Sequence, residues 1–292
     1  MTQSAALNTL KPPMDERPLW DLIEGALAYQ AVAVAHHLKL FPLLAAEPRT
    51  TAEICEALKI ARRPATALLT TCVAAGLLTA QDGQYALAPL AKTYLLESSP
   101  HYFGAFLDML IANDQLFSFE SLKQAVLTNR SQVYSGDELF KSHEEQAALA
   151  RAFTHGMHGH SAGAAFAWPA AVDLSAHQVL LDVGGGSGAH AIGAASRWPH
   201  LQAVVFDLPP VCEVAQEYIA RASLNQRITV HAGDLWEDSF PQADVHFYAD
   251  IYHDGSSTFN RGHEHHLPIS CLSALEGRPR CLGGVQRGGG TW

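Results

Sequence analysis

Three aspartates and a run of glycines stand where a ligand could be held. Leu181-Asp182-Val183-Gly184-Gly185-Gly186-Ser187-Gly188 joins an apolar run at 178–183, which predicts a buried strand, to a helical pattern reaching Arg197. Glycines let the backbone turn tightly and approach a ligand closely, and the amides that open the helix point at whatever sits there. Alone the loop is ambiguous, because Gly184, Gly186 and Ala189 also satisfy the dinucleotide pattern G-x-G-x-x-G/A. Asp182 ends the strand, where a carboxylate can meet an ammonium group. Asp207 ends a second strand predicted at 203–207 and can accept hydrogen bonds from both hydroxyls of a ribose. Asp234, beside Leu235, follows a third strand predicted at 227–231 and is placed for an adenine amino group.

The loop holds no Lys or Arg, and nothing in the chain matches a phosphate-binding Walker motif. A ligand with an ammonium group, a ribose, an adenine and no phosphate is S-adenosylmethionine. A nicotinamide dinucleotide, bound by a Rossmann oxidoreductase, is the alternative. Two histidine groups invite a metal. His155, His158 and His160 would lie on one helix but point in different directions, and His263, His265 and His266 fall in a glycine-rich stretch with no strand to hold them. Neither has the fixed geometry a metal site needs, so no metal is expected.

The elements that must position these residues change texture near residue 175. Before it, apolar residues recur at helical spacing: Leu19, Leu22, Ile23, Ala26 and Tyr29 form one stripe, continued by Leu38, Leu40, Phe41 and Leu44. Thr50 or Thr51 can cap a helix through Leu58, a second runs from Arg63 to near Gly76, and residues 78–88 read as a hairpin turning at Asp82-Gly83. Helix, helix, hairpin is the shape of a winged helix, here at about 50–98. Its charges do not suit DNA: Lys59, Arg62, Arg63 and Lys92 are balanced by Glu53, Glu56, Asp82 and Glu97, and the second helix offers no Arg or Asn to a base edge. It predicts a protein partner. After 175, strands at 178–183, 203–207, 227–231 and 245–250 alternate with helices, which predicts right-handed βαβ units and a parallel sheet.

Composition narrows the class. Among 292 residues, 29 Asp and Glu against 19 Lys and Arg give a net charge of −10, a poor footprint for nucleic acid. Hydrophobic residues make up 48%, enough for a substantial core. Five cysteines without a CxxC spacing form no disulfide framework or zinc ribbon. Residues 1–17 are expected to be a disordered N-terminus and lack the apolar core of a secretory signal, and no apolar run reaches membrane length, the nearest being 26–35. A reducing, cytoplasmic protein is expected, with no membrane and no nucleic-acid partner.

The stretches LLDVGGGSGAHAI, VVFDLPPVCEVA, RITVHAGDLW and ADVHFYADIYHD, in this order, resemble the small-molecule O-methyltransferases, the family of plant caffeate, acetylserotonin and bacterial polyketide methyltransferases. The resemblance covers about 18–254. It implies an α/β fold: a Rossmann-like parallel-sheet methyltransferase domain at 171–254, preceded by a mainly helical, winged-helix-like dimerisation domain at 18–170, in a homodimer. It implies S-adenosylmethionine as cofactor, bound by Asp182, Gly184, Gly186, Asp207, Asp234 and Leu235, and a small hydroxylated, aromatic acceptor. His253, in Tyr252-His253-Asp254, matches the family's general base, which takes the proton as the acceptor oxygen attacks the methyl group. Phe153 and Met157 are candidates for the acceptor pocket. A non-catalytic dimerising regulator built on the winged-helix half is a third alternative.

The pattern departs from the family after Asp254. Gly255 stands where the family has Trp, and residues 255–292 hold eight Gly, four Arg and no Lys, with net charge +2 against −12 before them. This Gly-rich tail predicts no strand and points to an out-of-frame or truncated ending. The family's strand order is 3-2-1-4-5-7-6, so the sheet is expected to be incomplete. The fourth strand, with Val245, Phe247 and Ala249 on one side, becomes an exposed edge, and the chain is expected to be weakly active or inactive.

Overall fold

The structure is a computed structural model and describes residues 14–129, 144–251, 268–272 and 280–282. The chain divides into two compact units, Met1–Ser99 and Pro100–Trp292.

The first unit opens with α1 (Arg17–His37), whose Pro18 sits in the first turn, where a missing amide donor costs no hydrogen bond. The stripe predicted for this helix is present but lies open on this chain: Leu19, Leu22 and Ile23 are exposed, Leu22 by 74%. After α2 (Leu40–Leu43) and β1 (Arg49–Thr50) comes α3 (Thr51–Leu58). Thr50 is its cap: its hydroxyl accepts the Glu53 amide at 3.3 Å while the Glu53 carboxylate accepts the Thr50 amide at 2.7 Å. This reciprocal pair satisfies two of the amides a helix start leaves open. Helix α4 (Arg62–Ala74) buries Ala65, Leu69 and Cys72, spaced for one helix face. The hairpin of β2 (Leu78–Gln81) and β3 (Gln84–Leu87) turns at Asp82 and Gly83, both with positive φ, the two-residue turn whose twist matches paired strands. Strand β1 pairs with β3, giving the order β1-β3-β2, and α5 (Pro89–Tyr94) follows.

The second unit begins with α6 (Gly104–Ala112), α7 (Phe119–Thr128) and the long α8 (Glu144–Ala167), which ends in a short 3-10 turn, Trp168–Ala170. The sheet then alternates with helices: β4 (Val179–Val183), α9 (Ala189–Arg197), β5 (Gln202–Asp207), α10 (Pro209–Arg221), β6 (Ile228–Ala232) and β7 (Val245–Ala249). Helix α8 packs against α6, α9 and α10. At α9 the approach is close enough that a Cβ on Gly193 would strike the Ala165 carbonyl oxygen. One face of the sheet packs Leu180, Val205 and Phe247 with Trp168 and Leu201, and the other packs Leu181, Val183, Phe206 and Tyr248. Trp168 stacks on Phe247 with ring centroids 4.6 Å apart, joining the end of α8 to the sheet.

The sheet corrects the expectation about its edge. The order is β6-β5-β4-β7-β8-β9, with β8 (Pro268–Leu272) parallel to β7 and β9 (Arg280–Leu282) antiparallel to β8. Strand β7 is therefore interior, paired from His246↔Pro268 to Ala249↔Cys271. The Gly-rich composition of the tail obscured a five-residue segment, Pro-Ile-Ser-Cys-Leu, that contains no glycine. Proline is tolerated at the first residue of a strand, and the backbone groups of β7 that would otherwise lack partners supply the template.

Candidate active site

The glycine loop leaves β4 with Gly184, Gly186 and Gly188 at φ of 61°, 56° and 74°, a left-handed conformation that side chains resist. Strand β5 ties its first half. The Gly184 amide donates to the Phe206 carbonyl at 2.8 Å, and the Gly186 amide donates to the Asp207 carboxylate at 2.8 Å. A Cβ on Gly184 would collide with Ile251, whereas one on Gly186 would meet nothing within 4 Å. The middle of the loop thus offers bare backbone to open space.

The carboxylates surround this loop. Asp182 is only 1% exposed, and its Oδ2 accepts the Ala191 amide of α9 at 3.1 Å. Burial pushes its carboxyl up to about 7, with the Asp207 charge adding to the effect of desolvation. Asp207 accepts the Gly186 amide on one oxygen and the Leu208 amide on the other. Although part of the residue reaches solvent, its carboxyl is enclosed by enough chain for burial to push it up to about 6, against the opposing pull of these two amides. Asp234 follows β6, half-buried, and accepts the Trp236 amide at 2.8 Å. Leu235 packs with the cluster of Phe206 and Tyr248 and reaches towards Gly184. Six residues predicted separately, Asp182, Gly184, Gly186, Asp207, Asp234 and Leu235, thus gather at the carboxyl ends of β4, β5 and β6, where open α/β sheets bind ligands.

Sequence reasoning missed the residues that support this arrangement. Ile251 covers Gly184, and Asp250, just before it, adopts φ 55° at the end of β7. Helix α8 sends its three histidines to different partners. His155 Nδ1 lies 2.9 Å from the Tyr218 hydroxyl, His158 Nδ1 lies 2.8 Å from Ser187 Oγ, and His160 Nδ1 lies 3.8 Å from an Asp250 carboxylate oxygen. This divergence is the one the helical offsets predict. Buried His190, on α9, also faces this side, close enough for His160 and His158 to influence its charge. Burial holds both His158 and His190 down to about 4, so both are neutral at physiological pH. Only a contact between α8 and the glycine loop identifies His158 and Ser187 as partners, so no sequence spacing could have found them. Phe153 and Met157 sit half-buried on α8. His253, Tyr252 and His263, His265 and His266 lie outside the described residues.

Comparison with known proteins decides the family. An O-methyltransferase domain matches residues 119–269 and an O-methyltransferase dimerisation domain matches residues 20–97. The chain belongs to the O-methyltransferase family. Members of this family use S-adenosylmethionine, and the match extends past Asp254, where the recognisable motifs end. The chain is 35% identical over 267 residues to the 3-hydroxy-5-methyl-1-naphthoate 3-O-methyltransferase of Streptomyces sahachiroi, covering 90% of this chain and 76% of that one. It is 33% identical to the L-tyrosine C(3)-methyltransferase of Streptomyces lavendulae (80% and 65% covered) and 32% identical to the acetylserotonin O-methyltransferase of Bos taurus (81% and 71%). Among solved structures, human N-acetylserotonin methyltransferase in complex with SAM superposes with a TM-score of 0.68 at 25% identity, covering 85% of this chain and 74% of that one. The oxidoreductase and regulator alternatives draw no support from these O-methyltransferase relatives. No helix among the described residues is long and apolar enough to cross a membrane.

Proposed function

We propose that this chain binds S-adenosylmethionine at the glycine loop of the second unit and methylates a hydroxyl, phenol or enol, of a small aromatic molecule. The observation that carries the proposal is a loop without Lys or Arg set among the acidic residues Asp182, Asp207 and Asp234. A pyrophosphate favours amides and cations, whereas two carboxyls raised by burial favour a ligand that brings positive charge. The donor set therefore fits a sulfonium and ammonium compound better than a dinucleotide. Support for an aromatic hydroxyl comes from the naphthoate and serotonin compounds in the names of the relatives.

When bound, S-adenosylmethionine supplies an electrophilic methyl group on a positively charged sulfur. In this proposal Asp207 accepts the ribose hydroxyls with the lone pairs its two amides leave over, and Asp234 accepts the adenine amino group. Gly184 and Gly186 give the ligand close backbone approach, Leu235 supplies apolar contact, and buried Asp182 provides negative potential on the ammonium side. His253 takes the acceptor's proton, a task suited to an imidazole titrating near neutrality. Phe153 and Met157 line the acceptor side. Bringing the acceptor oxygen into line with the methyl group supplies the larger part of the acceleration. The protein acts as a homodimer through residues 18–100, in the cytoplasm, where Cys55, Cys72 and Cys212 stay as thiols.

Calorimetric titration with S-adenosylhomocysteine and with NAD tests the cofactor. Micromolar binding of the first and none of the second is expected, and the opposite pattern overturns the proposal. Transfer of radiolabelled methyl groups to a panel of phenols, compared between the wild type and His253→Ala, tests the base. A loss of about a hundred- to ten-thousandfold is expected.

A further inference from the structure

We infer that His158 is a positioning residue that clamps the second half of the glycine loop through Ser187 and thereby sets cofactor affinity. The inference rests on the S-adenosylmethionine proposal above.

The loop has two halves held by different elements. Strand β5 ties Gly184 and Gly186 through the Phe206 carbonyl and the Asp207 carboxylate. Beyond Gly186 the next side chain is Ser187, between two glycines at positive φ, where the backbone has the least intrinsic resistance to changing shape. Its hydroxyl is buried and lies 2.8 Å from His158 Nδ1 on α8. His158 is itself fixed. Its ring stacks on Tyr218 of α10 at 3.6 Å and 15°, the Tyr218 hydroxyl meets His155, and the Arg221 guanidinium sits over the same tyrosine at 5.2 Å. Desolvation, with the nearby charges of His155 and Arg221, keeps the imidazole neutral, so Nδ1 can either accept the serine proton or donate its own.

Ligand binding makes this clamp matter. Asp207 holds the loop by the Gly186 amide and is also the proposed partner of the ribose hydroxyls. When those hydroxyls share the carboxylate, the β5 tether weakens, and the anchor on α8 keeps the backbone of the loop in place. A side chain that only filled space at 158 would lack this directional link.

The test uses the full chain and S-adenosylhomocysteine calorimetry, with thermal melting in parallel. Ser187→Ala and His158→Phe should each weaken binding about five- to tenfold, the loss expected for one hydrogen bond. The double variant should lose no more than either single variant, and His158→Asn, whose amide can reach the Nδ1 position, should recover most of the affinity. Should His158→Phe melt too low to titrate, Ser187→Ala and His158→Asn carry the comparison. Wild-type protein that binds no S-adenosylhomocysteine overturns the cofactor proposal. Wild-type protein that binds it while Ser187→Ala binds equally well, or while the two losses add, overturns the clamp alone.

Discussion

Asp182 and Asp207 are carboxyls raised by burial, to about 7 and about 6, while His158 and His190 are imidazoles lowered by it, to about 4. Their effects on stability have opposite signs. A carboxyl raised above its unfolded value loses stability as pH rises from about 4 through about 7, because the folded state holds a proton the unfolded chain has released. A histidine lowered to about 4 loses stability as pH falls from about 6.5 towards 4, because the unfolded chain takes up a proton the folded one refuses. The two carboxyls and the two imidazoles therefore pull stability in opposite directions between about pH 5 and 6.5. Asp182→Asn, which keeps an oxygen for the Ala191 amide, removes one raised carboxyl. Its melting temperature relative to wild type should rise as pH is raised from 5 to 7, and a parallel pair of curves would show that the Asp182 carboxyl is not raised. Asp207→Ala should weaken S-adenosylhomocysteine binding about ten- to a hundredfold, the range for hydrogen bonds to a charged acceptor. Unchanged affinity in calorimetry would remove Asp207 from the site.

Two contacts decide how the elements support this chemistry. Helix α8 carries His158 to the loop only because α9 lets it come close, at Gly193 against the Ala165 carbonyl. Gly193→Ala places a methyl group against backbone that cannot yield, so the helices must separate. A loss of about 1–3 kcal/mol is expected in urea unfolding, with weaker cofactor binding as α8 moves away. The second contact is β7 with β8. In a parallel sheet the amides of a strand alternate between its two neighbours, so a bare edge would leave every other amide of β7 open to solvent. With β8 in place, the β7 amides within the ladder should exchange slowly with deuterium. Alternating fast and slow amides along 246–249 would show that the edge is open.

For the whole molecule, the pattern of exposed apolar residues points to association. Leu19, Leu22, Ile23 and Leu27 line one open stripe of α1, and Phe119, Leu122, Val126 and Leu127 remain exposed on α7. A monomer does not ordinarily leave such stripes in water, and the match of residues 20–97 to a dimerisation domain supplies the partner, a second copy. Leu22→Glu should therefore yield monomers at micromolar concentration in light scattering, while the melting temperature of the separated chain changes little, because Leu22 buries almost nothing within one subunit. Undiminished dimers would place the interface elsewhere.

Local chemistry determined by itself much of what this protein is. The capping pair of Thr50 and Glu53, the Asp82-Gly83 turn, the glycine loop and the aspartates that follow three strands are all set by residues adjacent in the chain. Backbone preferences and short hydrogen bonds act over a few residues, so their outcome is legible in a single sequence. The contribution of β8 was not legible, because its five residues gain stability from pairing with β7 rather than from their own pattern. Nor was the link from His158 to Ser187, 29 positions apart, because only packing of α8 beside the loop brings the two side chains together. The charge state of Asp182 belongs to the tertiary structure as well. A carboxyl near 7 is a consequence of burial, and burial exists only when helix, loop and sheet close around it.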